Sequence, residues 1–231
     1  MERHMDELLA GLKLQLVKMS ALTEGMIADA LKMLVNRDES LMAVVERNEC
    51  AVNLMQVEID EMCLNLIALH QPTAGDLRFI LGAAKTNAEL ERMADQAVNI
   101  CEKALRLIHE PPLKPFVILP QMATLAGGMM KDSLHAFVNR DVQRARNVFA
   151  RDDRLDDLNR AITEELGRIM GEDNSTAPRA IDLVLVAHSL ERIGDHATNI
   201  AENTIFVVEG RDVRHHLADS APNPPAAAPQ P

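Results

Sequence analysis

The sequence predicts an all-α protein made of two tandem three-helix bundles, six long antiparallel helices related by an internal duplication. Three observations predict it. Residues 90–102 read Leu-Glu-Arg-Met-Ala-Asp-Gln-Ala-Val-Asn-Ile-Cys-Glu, and residues 190–202 read Leu-Glu-Arg-Ile-Gly-Asp-His-Ala-Thr-Asn-Ile-Ala-Glu, so eight of thirteen positions match at an offset of one hundred. A match of that density in a chain of 231 residues is most simply a duplication. Apolar residues recur at three-, four- and seven-residue spacing, the pattern of amphipathic helices packed in bundles. The composition is 47% hydrophobic and 26% charged, with no Trp, no Tyr and five Phe, which favours helix over sheet.

In order along the chain, Leu8, Leu12, Leu16, Met19, Met26, Ala30 and Leu34 mark a first helix from Asp6 to about Val35. Asn36-Arg37-Asp38 is a polar break. Leu41, Val44, Val45, Val52, Met55, Ile59, Met62 and Leu66 carry the second helix to about Leu69, and Pro72 closes it. Thr73 or Asp76 caps the third helix, which contains the first copy of the repeat and ends near His109. Glu110-Pro111-Pro112-Leu113-Lys114-Pro115 cannot be helical through its prolines and falls where the duplication places a junction. The domain reading is therefore a first bundle over 1–110, a Pro-rich linker over 111–115 and a second bundle over 116–212. The fourth helix runs from about Pro120 to Phe137. Val138-Asn139-Arg140-Asp141 then echoes Val35-Asn36-Arg37-Asp38. The fifth helix runs to about Met170, and the sixth, with Pro178 in its first turn, carries the second repeat to about Val208. Residues 213–231 turn to Ala and Pro and are expected to be disordered.

A net charge of −11 argues against a general nucleic-acid or anionic-membrane surface, which needs clustered Lys and Arg. Cys50, Cys63 and Cys101 are odd in number and lack CxxC spacing, so they read as reduced thiols packed in apolar helical surroundings. The N-terminus lacks the apolar core of a signal peptide, and no run of eighteen apolar residues occurs. A soluble, cytoplasmic protein is expected. There is no phosphate-binding glycine loop, no Gly-x-Ser-x-Gly and no Glu-x-x-His pair of a ferritin-like oxidase, and the chain reads as non-enzymatic. His188, His196 and His215-His216 are possible ligands, but each reads better as a surface or helix-end residue.

The polar residues shared by the two copies form a stripe. At 100° per residue Glu91, Asp95, Asn99 and Glu102 fall within an arc of about 80°, with Leu90, Met93, Ala97, Ile100 and Cys101 on the core side. Carboxylates at i and i+4 repel; Glu91 has no Lys or Arg three or four residues away to offset this, and Asp95 has only Arg92. Either a solvated or salt-bridged face results, or a divalent-metal site, since hard cations take carboxylate oxygens and Asn carbonyls. The fifth helix adds the acidic pair Asp152 and Asp156, for which Arg160 offers a rival salt bridge, and the second helix has Glu49 and Asn53 in the corresponding place.

The Leu-Glu-Arg-Ile-Gly-Asp run at 190–195, its relative at 90–95, Gln-Pro-Thr-Ala-Gly-Asp-Leu-Arg at 71–78 and Val-Glu-Gly-Arg-Asp-Val-Arg-His at 208–215 closely resemble the PhoU family of phosphate-transport regulators. The resemblance covers roughly residues 5–215 and implies the same double-bundle fold. It further implies E/DxxxD pairs on neighbouring helices that in some members hold iron or zinc, which makes Glu91, Asp95, Asp152, Asp156, Glu191 and Asp195 candidate ligands, with Glu49 weaker. The cation could equally be manganese or magnesium. Asn53, where a carboxylate is expected, and Ala94, in place of the usual Gly, depart from the family pattern and leave the first-half site short. By the same resemblance the chain is a negative regulator of phosphate uptake and of the phosphate-starvation response. It would act as a homodimeric cytoplasmic adaptor between the ATPase subunit of the phosphate ABC transporter and the sensor histidine kinase, near the membrane only through these partners. The alternative is a metal-binding or metal-storage bundle with no signalling partner.

Overall fold

The computed structural model describes residues 2–211. Six long helices account for almost all of them: α1 (Glu2–Asn36), α2 (Leu41–His70), α3 (Ala74–Leu107), α4 (Ile118–Asn139), α5 (Val142–Glu172) and α6 (Ala177–Glu209), with one 3-10 turn, Asn174–Thr176, before α6. The expected tail over 213–231 and the His215-His216 pair lie outside the described residues.

Each boundary has a local cause. After α1 and after α4 the chain turns through Arg37 (φ 57°) and Arg140 (φ 56°), both left-handed, so the duplicated Asn-Arg-Asp breaks share one backbone shape. The Asp that follows then serves the next helix. Asp141 accepts from the Arg144 amide at 2.9 Å as the N-cap of α5, and Asp38 accepts from the Ser40 amide at 3.1 Å. Gln71 (φ 45°) and Pro72 end α2, and Gly210 (φ 68°) ends α6 with its N–H on the Phe206 carbonyl. Thr73 is the N-cap of α3, but its hydroxyl donates to Asp76 at 2.9 Å rather than capping a backbone amide. α4 begins at Ile118, two residues before the expected start, because Pro120 sits inside a first turn whose N–H groups have no helical partner anyway. α3 stops at Leu107, short of His109, ahead of Pro111 and Pro112.

α1, α2 and α3 pack as one bundle and α4, α5 and α6 as the other. The two are joined lengthwise: α3 against α6 is the most extensive helix pair, and α1 also packs on α4. One continuous hydrophobic core results, with every core-side residue of the first repeat (Leu90, Met93, Ala97, Ile100, Cys101) fully buried. Phe79 and Phe137 stack at 5.1 Å between centroids where the halves meet, with Lys13 and Arg140 over the Phe79 ring. The cysteine expectation needs one correction. Cys63 and Cys101 are buried, with thiols pushed up to about 12 by burial, but Cys50 is exposed, because it lies on the outer face of α2.

Candidate functional site

The helices bring the second-half acids together. On α5, Asp152 and Asp156 lie one turn apart; on α6, so do Glu191 and Asp195. Burial, followed by the charges of Asp156, Asp195, Asp153 and Glu191, pushes the Asp152 carboxyl up to about 6. Burial also raises Glu191 and Asp195, each with the charge of Asp156 among the causes. The helices approach so closely here that a Cβ on Gly194 would overlap Leu155 and come within 3.3 Å of Asp152 Oδ1. That glycine is what lets α5 and α6 share the cluster.

Compensation is thin. Among the described residues neither Asp152 nor Asp156 accepts an ion pair: Arg160 goes to Asp157 at 3.0 Å, so the rival salt bridge to Asp156 does not form. Glu191 has His188 Nδ1 at 3.0 Å from Oε2, an influence that lowers its carboxyl but does not outweigh its burial and the charge of Asp195. Two buried oxygens, Glu191 Oε2 and Asn159 Oδ1, have no hydrogen-bond donor. Asn159 is one turn beyond Asp156 on α5, and the sequence reading passed over it. The donor types suit a hard cation, yet among the described residues no three His, Cys, Asp or Glu side chains converge closely enough to hold one as they are placed.

The first-half site is differently built. Burial raises Glu91 and Asp95, the charge of Asp95 adds to the shift of Glu91, and the charge of Glu49 adds to both. Glu49 is however engaged, accepting from Asn53 Nδ2 at 2.7 Å. A neutral amide that donates to Glu49 thus stands where the second half has the carboxylate of Asp156.

The stripe does not stay together as one face. Asn199 leaves the acid pair and donates from Nδ2 to Glu89 Oε2 on α3 at 3.0 Å, beside His196 Nδ1 at 2.7 Å from the same oxygen, while Arg92 pairs with Oε1 at 3.2 Å. Burial would raise the Glu89 carboxyl, but these hydrogen bonds and the charges of His196 and Arg92 together hold it below its ordinary value. The repeat does not reveal Glu89, because the two copies do not share it. Its signal lies in what they do not: position 189 is Ser, and His196 replaces Gln96. The two departures from the repeat meet in space.

The comparisons with known proteins agree with this architecture. A family model described as PhoU domain matches twice, over residues 16–104 and 119–204, one match per bundle. The phosphate-specific transport system accessory protein PhoU of Serratia marcescens is 37% identical over 215 residues, covering 92% of this chain and 87% of that one. A homolog from Aquifex aeolicus is 39% identical over 203 residues, covering 88% and 92%. Among solved structures, PhoU from Pseudomonas aeruginosa superposes with a TM-score of 0.85 at 32% identity, covering 89% of this chain and 99% of that chain. The phosphate transport system regulatory protein PhoU from Streptococcus pneumoniae gives 0.83 at 25% identity, covering 90% and 99%. With both bundles matched by the same domain model and relatives above 30% identity along nearly its whole length, the chain belongs to the PhoU family.

Proposed function

We propose that this chain is an accessory regulator of phosphate-specific transport that lowers phosphate uptake and holds the phosphate-starvation response off when phosphate is plentiful. The observation that carries the reading is full-length membership of a family whose relatives are described as accessory or regulatory proteins. Consistent with those descriptions the chain is not an enzyme. It acts as a homodimeric cytoplasmic adaptor, with the transporter's ATPase subunit and the phosphate sensor histidine kinase as its partners. Among the described residues no helix is long and apolar enough to cross a membrane, which fits a protein that reaches the membrane through partners. Deleting the gene should raise alkaline phosphatase activity and phosphate accumulation in phosphate-rich medium, and tagged protein should bring down the ATPase subunit or the kinase. Unchanged phosphatase activity in a strain with an intact starvation response overturns the reading.

A second reading is favoured by the α5/α6 acids. Asp152, Asp156, Glu191 and Asp195, with the orphaned Asn159 carbonyl oxygen, would hold a divalent cation after side-chain rotation, and the cation would supply the positive charge that this cluster lacks. Glu49, Glu91 and Asp95 form the weaker counterpart.

A further inference from the structure

Helix α2 packs against α1 and α3, and its third side faces solvent. That side is not polar. Leu54, Val57 and Leu64 are 68%, 57% and 67% exposed, and they stand in strict heptad register. Stepping three and four residues in each direction, the register continues through Cys50, Arg47 and Ala43 toward the N-terminus and through Glu61 and Ala68 toward the C-terminus. All of these positions are exposed. The seam spans 26 residues, about 39 Å of helix.

The duplication provides an internal control. The shared Asn-Arg-Asp breaks and the buried pairs Val45/Val148 and Ile59/Ile162 align α5 with α2 at an offset of 103. At that offset the counterparts of Cys50, Leu54, Val57 and Leu64 are Asp153, Asp157, Arg160 and Gly167. The core face survived in both copies, whereas Cys50, Leu54, Val57 and Leu64 on the outer heptad are apolar in α2 alone. Core packing does not explain it, because these side chains are mostly exposed.

We propose that two copies of the chain pair through this face, α2 against α2 and antiparallel, as a short coiled coil. This rests on the homodimer within the functional reading and assigns its surface. The seam is complementary to itself when turned end for end about its midpoint. Leu54 then shares a layer with Val57 of the partner subunit, and Ala43 with Ala68 of the partner subunit. Arg47 comes within one turn of Glu61 of the partner subunit, twice by symmetry. The flanking acids meet neutral positions in this register: Glu58 lies opposite Ala51 of the partner subunit and Asp60 opposite Asn53 of the partner subunit. A shift of one heptad step would instead set Asp60 against Glu46 of the partner subunit, so charge selects the register.

Sedimentation velocity and light scattering on the full chain test the assignment, with helical signal and thermal melts confirming that each variant folds. The wild type should be a dimer at micromolar concentration. Leu54→Glu should be a monomer. Arg47→Glu and Glu61→Arg should each weaken the dimer roughly tenfold or more, and the double variant R47E/E61R should restore it, a rescue that only self-pairing produces. Leu185→Glu, an exposed apolar position on α6, should leave the dimer intact. A wild-type monomer overturns both the dimer and this surface. A wild-type dimer that Leu54→Glu leaves unchanged, or charge variants that the double swap does not rescue, keeps the dimer and overturns the α2 assignment, pointing to another copy interface or to a different protein's helix on this face.

Discussion

The two acidic sites descend from one stripe and have diverged in opposite directions. In the second half Gly194 admits α5, Asp156 contributes a full charge, and four carboxylates crowd with little compensation. In the first half Ala94 replaces the glycine, and Asn53 both removes one charge and ties down Glu49. The same helices with one amide and one methyl changed thus give four crowded carboxylates on one side and three on the other, one of them held by an amide hydrogen bond. Electrostatic tension, rather than residue count, separates a site poised for a cation from one that is nearly content without it.

Cation binding should separate them most. A cation that binds only the folded state stabilises it by about 2.7 kcal/mol at a hundredfold excess over Kd. Melts with EDTA, Fe(II), Mn(II), Zn(II) and Mg(II), alongside elemental analysis, should show a rise that E191A/D195A largely abolishes and E91A/D95A reduces only slightly. Equal loss in both double variants would erase the asymmetry. No shift with any cation would make both clusters plain charged faces.

Next comes the contact between the halves. Glu89→Ala leaves His196 Nδ1 and Asn199 Nδ2 without their acceptor and should cost about 1–3 kcal/mol. Ser189→Ala, at the matching position of the other copy, should stay within about 0.5 kcal/mol. Denaturant midpoints of the two variants decide it. Comparable losses would mean that Glu89 has no special part in joining the bundles.

The smallest effect concerns pH in the metal-free protein. The Asp152 carboxyl is raised from 3.8 to about 6 in the fold, so its ionisation opposes folding. That penalty is present at pH 7 and is relieved as pH falls from about 6 toward 4. Glu89 has the opposite sign, its contribution being present above its ordinary value and lost as pH falls through its lowered folded value. Stability should therefore improve modestly from pH 7 to pH 5 before it declines. Asp152→Asn should flatten the upper part of that curve and raise the melting temperature at pH 7 by an amount worth roughly 1 kcal/mol after allowance for solvent screening at this half-buried position. A wild-type curve that falls steadily from pH 7 to pH 5 would contradict the crowded-carboxylate account.

Much of this was legible in the sequence for a definite reason. Helix positions followed from apolar spacing, because burial enforces a period, and Leu90, Met93 and Ile100 landed in the core as the period required. The α6 acids were legible because their stripe occurs twice within one chain, whereas Asp152 and Asp156 stood out only as a further acidic pair one turn apart and by the family resemblance. Side-chain partners between helices were not legible, since periodicity places a residue on a face without saying which neighbour it meets. Hence Asn199 shares a stripe with Glu191 and Asp195 but turns to Glu89, and Arg160, a rival salt-bridge partner for Asp156, takes Asp157. Cys50 was read as core because its helix is apolar in composition. It is exposed because α2 is apolar on two sides, and only the packing tells which side is inside.

The left-handed arginines bear on how the molecule transmits force. Glycine would adopt the backbone of Arg37 or Arg140 with less strain, worth about 1 kcal/mol at each. Each guanidinium nevertheless works as a strut. Arg37 holds the carbonyls of Ile108 and Glu110 at the entry to the proline linker, and Arg140 lies over Phe79 with Asp76 at 4.0 Å, bracing α4 against α3. The joint between the bundles is therefore clamped at both hairpin tips, and the protein should behave as one stiff lever rather than two beads on a string. A partner that displaces one end would then be felt at the other.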